Sequence, residues 1–187
     1  MQIDEAIVIL KIDLEEKFRK KLISFIDYKA TSFMSIGGFQ LEGEVDKSSR
    51  RVNGYSLDDR HVSDRIYFRH ISNIIFTYLS NYKAKFPNDS SRKLNQIDLL
   101  KYKPEGKYDI HVDNDTLSHR TLSVIFNLNN EYEGGDLVFF HPVNNKEFKR
   151  FKLNTGSLVL FPSNFLFPHA IEPITKGVRY SLVSWIQ

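Results

Sequence analysis

Residues 120–161 read RTLSVIFNLNNEYEGGDLVFFHPVNNKEFKRFKLNTGSLVLF. Apolar and β-branched residues come here in short runs, each closed by turn formers: Asn129-Asn130, Gly134-Gly135, Asn144-Asn145 and Asn154-Thr155-Gly156. Runs this short are poor helices, so the stretch reads as four strands, Arg120–Leu128, Asp136–His141, Glu147–Leu153 and Ser157–Phe161. The same rhythm continues on both sides. Leu94–Tyr102 and Tyr108–Asp113 come before it, split by Pro104-Glu105-Gly106. His169–Ile174 and Val178–Ile186 come after it, split by Lys176-Gly177. Strands at this near-regular spacing predict a sandwich or barrel rather than alternating βα units. A jelly roll with supporting helices fits best.

The helical support lies upstream. A short apolar strand, Ala6–Leu10, is followed by Asp13 and Glu16, spaced like a capping box that opens a helix. Leu14, Phe18, Leu22, Phe25 and Ile26 then recur at helical spacing. Tyr67, Ile71, Ile74, Ile75, Tyr78, Leu79 and Tyr82 form a second and clearer stripe. Both stripes read as faces packed on a sheet. Between them, Gly37–Arg60 carries Ser48-Ser49-Arg50-Arg51 and Asn53-Gly54 and reads as an exposed loop or hairpin. A mobile segment covering a substrate is the sharper reading of it. The expected chain is α+β, mainly β, and one domain over 1–187, with 1–93 as helical support and flap and 94–187 as jelly-roll core.

Composition narrows the chemistry. The 187 residues are enough for one domain with a sizeable core. Lys and Arg number 26 against 23 Asp and Glu, and a net +3 is too mild for a nucleic-acid or membrane footprint. Neither partner is expected. No run reaches the ~18 apolar residues of a membrane helix. The start, MQIDEAIVIL, has an acidic pair where a signal peptide has basic residues, so a cytoplasmic location is expected. Cysteine is absent, which excludes a disulfide scaffold, a thiolate zinc site, an iron–sulfur cluster and a thiol nucleophile. Any metal must be held by carboxylates and the six His.

His111-Val112-Asp113 places an imidazole and a carboxylate two residues apart, hence on one face of a strand. His169 opens a later strand. Two neutral imidazoles and one carboxylate on one side of a metal form the facial triad suited to non-haem iron(II) and dioxygen. An ordinary polar strand end is the alternative for the pair by itself. Ten residues beyond His169, the alternation of Gly177-Val-Arg179-Tyr-Ser181-Leu-Val-Ser-Trp185 puts Arg179, Ser181, Val183 and Trp185 on one face. If that face is interior, the guanidinium needs an anionic partner, and a bound carboxylate suits its two-pronged geometry. If it is exterior, Glu172 is a candidate partner. His61, His70, His119 and His141 have no partners at ligand spacing and read as surface or turn residues. Gly134-Gly135 reads as a turn requiring positive φ.

Residues 102–187 resemble the iron(II)/2-oxoglutarate-dependent dioxygenases, in their prolyl 4-hydroxylase-like branch. The resemblance is carried by Tyr102-Lys-Pro-Glu-Gly-Lys-Tyr108-Asp-Ile-His111-Val-Asp113 and Arg120-Thr-Leu-Ser-Val-Ile-Phe-Asn-Leu-Asn129. It continues through Tyr132-Glu-Gly134-Gly135-Asp136-Leu137, Gly156-Ser-Leu-Val-Leu-Phe161-Pro162-Ser163 and His169 to Trp185. It implies a double-stranded β-helix that uses iron(II), 2-oxoglutarate and dioxygen, with ascorbate as an accessory reductant. It also implies hydroxylation of a C–H bond, with 2-oxoglutarate converted to succinate and carbon dioxide. A prolyl residue in a peptide or protein is the implied substrate; a free amino acid, another small molecule, or a non-catalytic metal- or carboxylate-binding module are the alternatives.

By the same resemblance, His111, Asp113 and His169 would ligate iron, and Arg179 with Ser181 would hold the distal carboxylate of 2-oxoglutarate. Tyr102 would stand near the cosubstrate, and Val124 and Leu137 would line the pocket. Phe126 departs from the pattern, because some members carry a carboxylate-binding tyrosine at what looks like its position; ordinary interior packing is its other reading. Arg50, Arg51, Tyr55 and Arg60 are the expected substrate-facing residues of the flap. Trp185 would pack near the iron and face the substrate, or is a plain core aromatic; Asn114 and Asp115 read as a solvated turn, with substrate contact as the alternative.

Overall fold

The computed structural model describes residues 3–34, 48–58, 60–114 and 119–187. The Gly37–Arg60 flap therefore lies outside the described residues from 37 to 47, as does Asp115. After a 3-10 turn at Ile3–Ala6, β1 (Val8–Lys11) leads to α1 (Glu16–Lys29). Short strands β2 (Ser32–Phe33), β3 (Arg50–Arg51) and β4 (Asn53–Ser56) come before α2 (Val62–Lys85). Then follow β5 (Leu94–Tyr102), β6 (Lys107–His111), β7 (Leu122–Asn127), β8 (Tyr132–Gly134) and β9 (Leu137–Phe140). The chain closes with β10 (Glu147–Phe151), β11 (Ser157–Pro162), β12 (His169–Ile171), β13 (Ile174–Gly177) and β14 (Arg179–Ile186).

Three layers result. The larger sheet has the order β1-β11-β7-β14-β5-β4-β2, the smaller β10-β9-β12-β6-β3, and β13 pairs with β8 alone. All pairings are antiparallel. One face of the larger sheet, with Ile97, Leu99, Leu122, Val124, Phe126, Leu158, Leu160, Leu182 and Ile186, packs on Leu22, Ile26, Ile71, Ile75 and Leu79 of the helices. Its other face meets the smaller sheet through Leu100, Ile125, Val159 and Phe161 against Leu137, Phe139 and Ile171. The expected jelly roll with helices on one flank is present, and its second core is where the site opens.

Several local expectations are corrected. The Asp13 capping box does not form: α1 starts at Glu16, its N-cap is Glu15, and no side chain caps it. Asp13 sits too far upstream for the first free amides, and Glu16 pairs instead with Lys20 at 2.7 Å. The His169–Ile174 strand is two strands, because Pro173 has no N–H to continue the ladder. β13 then pairs with β8, which sequence patterning misses. The described end of the Gly37–Arg60 stretch is sheet rather than loop, since β3 edges β6 and β4 pairs with β5. Gly134 and Gly135 do carry positive φ, 74° and 69°. Gly156, at φ 81°, sits where a Cβ would stand 2.4 Å from the Ile12 carbonyl oxygen, the approach that closes β1 onto β11.

Candidate active site

Strands β6 and β12 lie side by side with His111 directly opposite His169, so the ladder itself brings the imidazoles together, 4.3 Å between ring centres. Asp113 lies just beyond the end of β6, in a bend, and turns its carboxylate to both rings. His111 Nε2 is 3.6 Å from Asp113 Oδ1, and His169 Nε2 is 3.6 Å from Oδ2. One ligand atom from each of the three lies within 4.8 Å of the others.

The hydrogen bonds behind the rings fix their chemistry. His111 Nδ1 is 2.8 Å from the Asp109 carbonyl, and His169 Nδ1 is 3.1 Å from the Phe167 carbonyl. A carbonyl only accepts, so each Nδ1 carries the proton and each Nε2 presents a lone pair. Burial, helped by the neighbouring His111 ring, pushes His169 down to about 4, so it is neutral near pH 7. Burial alone would push the Asp113 carboxyl up. The positive charge that the two His rings carry when protonated, with the Ser123 hydroxyl, outweighs that and holds it well below the usual carboxylate range. Two lone pairs and an ionised carboxylate aimed at one point are unfavourable together unless a cation lies between them. The donor set therefore fits iron(II). Tyr108 stacks on His111 at 3.5 Å and Phe161 meets His169 edge-on at 4.8 Å, which restrains both rings.

The pocket that holds His111, Asp113 and His169 is also lined along β14 by Arg179, Ser181, Val183 and Trp185, the alternation read from the sequence. Arg179 is 1% exposed, and its Nε donates to Asn127 Oδ1 at 3.1 Å. Its Nη2 and the Ser181 hydroxyl are buried with no partner among the described residues. Asp113 is the only carboxylate among the described lining residues. Glu172, the exterior alternative, is held by Arg150 instead, at 2.8 Å. An inward guanidinium with an unmet donor beside an unmet hydroxyl fits the distal carboxylate of 2-oxoglutarate. Tyr102 lines the same end, with the Arg179 Cζ 5.2 Å from its ring centre.

Asn127 is a residue that sequence reasoning missed. Its Nδ2 donates to the Asn129 and Leu153 carbonyls, at 2.6 and 3.2 Å, which commits Oδ1 to face Arg179. The available signal was an amide ending an otherwise apolar run. Phe126, read as the site of a missing tyrosine, packs toward the helices, whereas the β7 side chains used at the site are those of Ser123 and Asn127. Val124 is among the pocket residues; Leu137 lies in the core between the sheets instead.

Of the expected substrate-facing residues, Arg50 and Trp185 line the pocket. Arg51 pairs with Glu105, Arg60 with Asp58, and Tyr55 bonds Asp64 beside the helices, so these three are not brought to it. Arg120, also missed, lies over Trp185 at 3.7 Å and donates to the Asp113 carbonyl at 3.0 Å. His61, His70, His119 and His141 are all exposed.

Comparison with known proteins gives this geometry its context. A PKHD-type hydroxylase of Aliarcobacter butzleri is 40% identical over 157 residues, covering 79% of this chain and 67% of that relative. The model of the 2OG-Fe(II) oxygenase superfamily matches residues 97–187. The chain belongs to that superfamily. A PKHD-type hydroxylase of Alteromonas mediterranea is 26% identical, over 96% of this chain and 75% of that one. A Prochlorococcus marinus relative of the same description is matched over only 43% of its length. Among solved structures, a Pseudomonas putida prolyl-4-hydroxylase superposes with a TM-score of 0.72 at 19% identity, over 97% of this chain and 92% of that chain. A Trichoplax adhaerens prolyl hydroxylase, solved with a hypoxia inducible factor peptide fragment, gives 0.74 at 19% identity, over 97% and 83%. These likenesses identify the fold as the oxygenase jelly roll. As a 2OG-Fe(II) oxygenase, the enzyme uses iron(II), 2-oxoglutarate and dioxygen. No described helix is long and apolar enough to cross a membrane.

Proposed function

We propose that the chain is a single catalytic domain that hydroxylates a prolyl residue in a peptide or protein. His111, Asp113 and His169 hold the iron, and Arg179 with Ser181 holds the distal carboxylate of 2-oxoglutarate. The observation that carries this reading is the pairing, within one pocket, of a His–Asp–His cluster with a buried guanidinium nitrogen and a hydroxyl that lack partners among the described residues. Iron(II) with 2-oxoglutarate and dioxygen supplies hydroxylation of a C–H bond coupled to oxidative decarboxylation.

The protein's own contribution is orientation and shielding. The Asp109 and Phe167 carbonyls keep both imidazoles in the ligating tautomer. Asn127 aims the guanidinium, and Tyr102 closes the pocket beneath it. Arg50 and Trp185 form pocket walls available to the substrate. Peptide as the substrate class is supported by the names of the hydroxylase relatives and by the peptide-bound structural neighbour. A cytoplasmic site of action belongs to the same proposal and is tested by cell fractionation.

The deciding experiment is mass spectrometry of prolyl peptide pools incubated with enzyme, iron(II), 2-oxoglutarate and ascorbate in air. A +16 product on proline supports the reading. Products confined to free amino acids or other small molecules overturn the peptide assignment.

A further inference from the structure

A buried carboxylate outside the metal cluster also faces the space between the sheets. Asp98 is in β5, which β14 and β4 flank on either side, so its side chain stands above or below the larger sheet. Register settles which. Asp98 is opposite Val183 and Val183 is opposite Ile125, and residues paired in this way share a face. Val183 and Ile125 line the pocket, as do Leu100 and Tyr102 at the next alternate positions of β5. Asp98 therefore extends the lined face one step toward Trp185, whose own partner on β5 is Gln96.

The two oxygens of Asp98 are treated unequally. Oδ1 accepts from Ser56 Oγ at 2.6 Å and from Gln96 Nε2 at 2.8 Å. Among the described residues, Oδ2 accepts no hydrogen bond and no cation pairs with the side chain. The residue is 2% exposed, yet Oδ2 is not one of the fully enclosed polar atoms without a partner, so it keeps contact with open space between the sheets. The nearby guanidinium groups are turned elsewhere, Arg50 onto the Tyr108 ring at 4.6 Å and Arg120 onto the Trp185 ring at 3.7 Å. A buried carboxylate with one oxygen unmet favours a cation that a ligand brings.

We propose that Asp98 is a specificity-determining residue that pairs with a positive charge on the substrate, so that the enzyme selects prolyl peptides with a lysine beside the target proline. The proposal rests on the reading of the pocket as a hydroxylation site for peptides. Two donors already hold Oδ1, which leaves a single acceptor. That suits the point charge of a lysine ammonium better than a two-pronged guanidinium.

The test is binding to the Mn(II)- and 2-oxoglutarate-loaded protein without oxygen. A blocked peptide Ala-Lys-Pro-Lys-Ala is compared with the same peptide carrying uncharged norleucine in place of both lysines. Wild type is expected to bind the lysine peptide about 10- to 100-fold more tightly, the range for a hydrogen bond to a charged group. Asp98→Asn keeps an oxygen for Ser56 and Gln96 but loses the charge, and should remove most of that preference. Wild type without a lysine preference overturns the proposal. So does an Asp98→Asn protein that keeps the preference, which would leave Asp98 as a structural acceptor for β4. If Asp98→Asn does not fold, Asp98→Glu advances the carboxylate by one methylene and should shift the preference toward a peptide with ornithine, one methylene shorter than lysine. An unshifted preference overturns the proposal equally. If the loaded protein binds neither peptide, the peptide reading fails instead, and free lysine against free norleucine decides the role of Asp98.

Discussion

Replacing Arg179 with Met separates a ligand-binding arginine from a structural one, because the two roles predict opposite outcomes. In the protein alone, Met removes the Arg179 Nε bond to Asn127 and the contact with Tyr102, and also removes a buried donor with no partner among the described residues. A made bond is worth about 1 kcal/mol and an unmet buried donor costs about 1–3 kcal/mol. Stability without cosubstrate should therefore change by no more than about 1 kcal/mol. With 2-oxoglutarate the balance reverses. Two charge-assisted donors to a carboxylate contribute about 1.5–3 kcal/mol each, so losing about 3 kcal/mol weakens binding about 100-fold.

The assay is thermal unfolding of Mn(II)-loaded, oxygen-free protein with and without 2-oxoglutarate. At a concentration 100 times the wild-type Kd, the cosubstrate adds about 2.7 kcal/mol; at the variant's Kd it adds about 0.4 kcal/mol. For a chain of this length, that shrinks a shift of roughly 5–10 °C to about 1–2 °C. A variant that melts much lower alone but keeps its full cosubstrate shift would refute the reasoning. Arg179 would then be a structural residue.

Three further outcomes follow. His111→Ala and Asp113→Ala should each abolish metal-dependent turnover and Mn(II) binding; either variant retaining both by titration and succinate assay removes that residue from the ligand set. Asp64, fully buried at the start of α2, accepts from Tyr55 at 2.6 Å and from the Asp58 N–H at 3.1 Å, and faces Lys29. Burial pushes its pKa up, but these partners outweigh it and hold the carboxyl below its usual value. A lowered folded pKa stabilises above the unfolded value of about 3.9, and that stability disappears as pH falls through this value and below it. Asp64→Ala should cost about 3 kcal/mol near pH 7 and progressively less toward pH 3, and a pH-independent difference in urea midpoint would contradict this. Gly156→Ala meets both the positive φ and the Ile12 carbonyl, so a loss of about 2 kcal/mol or more is expected in urea unfolding.

Legibility tracked how far a signal was local. The span of β5 and the face shared by Arg179, Ser181, Val183 and Trp185 could be read directly, because alternation and turn residues lie within each strand. The clustering of His111 and Asp113 could be read because they are two residues apart. Strands β3 and β4 were not, since Arg50–Arg51 and Asn53–Ser56 are short, polar, and strands only by virtue of pairing with β6 and β5. Of the two readings of Phe126, the phase of β7 leaves interior packing. Asp113 lies beyond its strand, so the parity of His111-Val112-Asp113 does not carry over to β7. There the phase is set by Ser123 meeting Asp113, a contact across ten residues of sequence.

That phase explains why helices remote from the chemistry matter to it. On β14, Leu182 and Ile186 pack on the helices while Arg179, Ser181 and Trp185 face the pocket; on β7, Leu122 and Phe126 belong to the helix-side cluster, while Ser123 and Asn127 serve the site. The ladder sets Ser181 opposite Asn127 at the carboxylate-binding end and Trp185 opposite Ser123 at the metal end. Four residues of strand separate these pairs, about 13 Å at ~3.3 Å per residue. The spacing between the proposed cosubstrate grip and the proposed metal ligand is thus a property of register rather than of loop conformation. A slip of one residue on either strand would carry its site groups to the helix side and its core residues into the pocket. What forbids the slip is the apolar seam under α1 and α2, where Phe126, Leu182 and Ile186 are at most 1% exposed. Packing on the far side of the sheet is therefore what holds the near side in catalytic alignment.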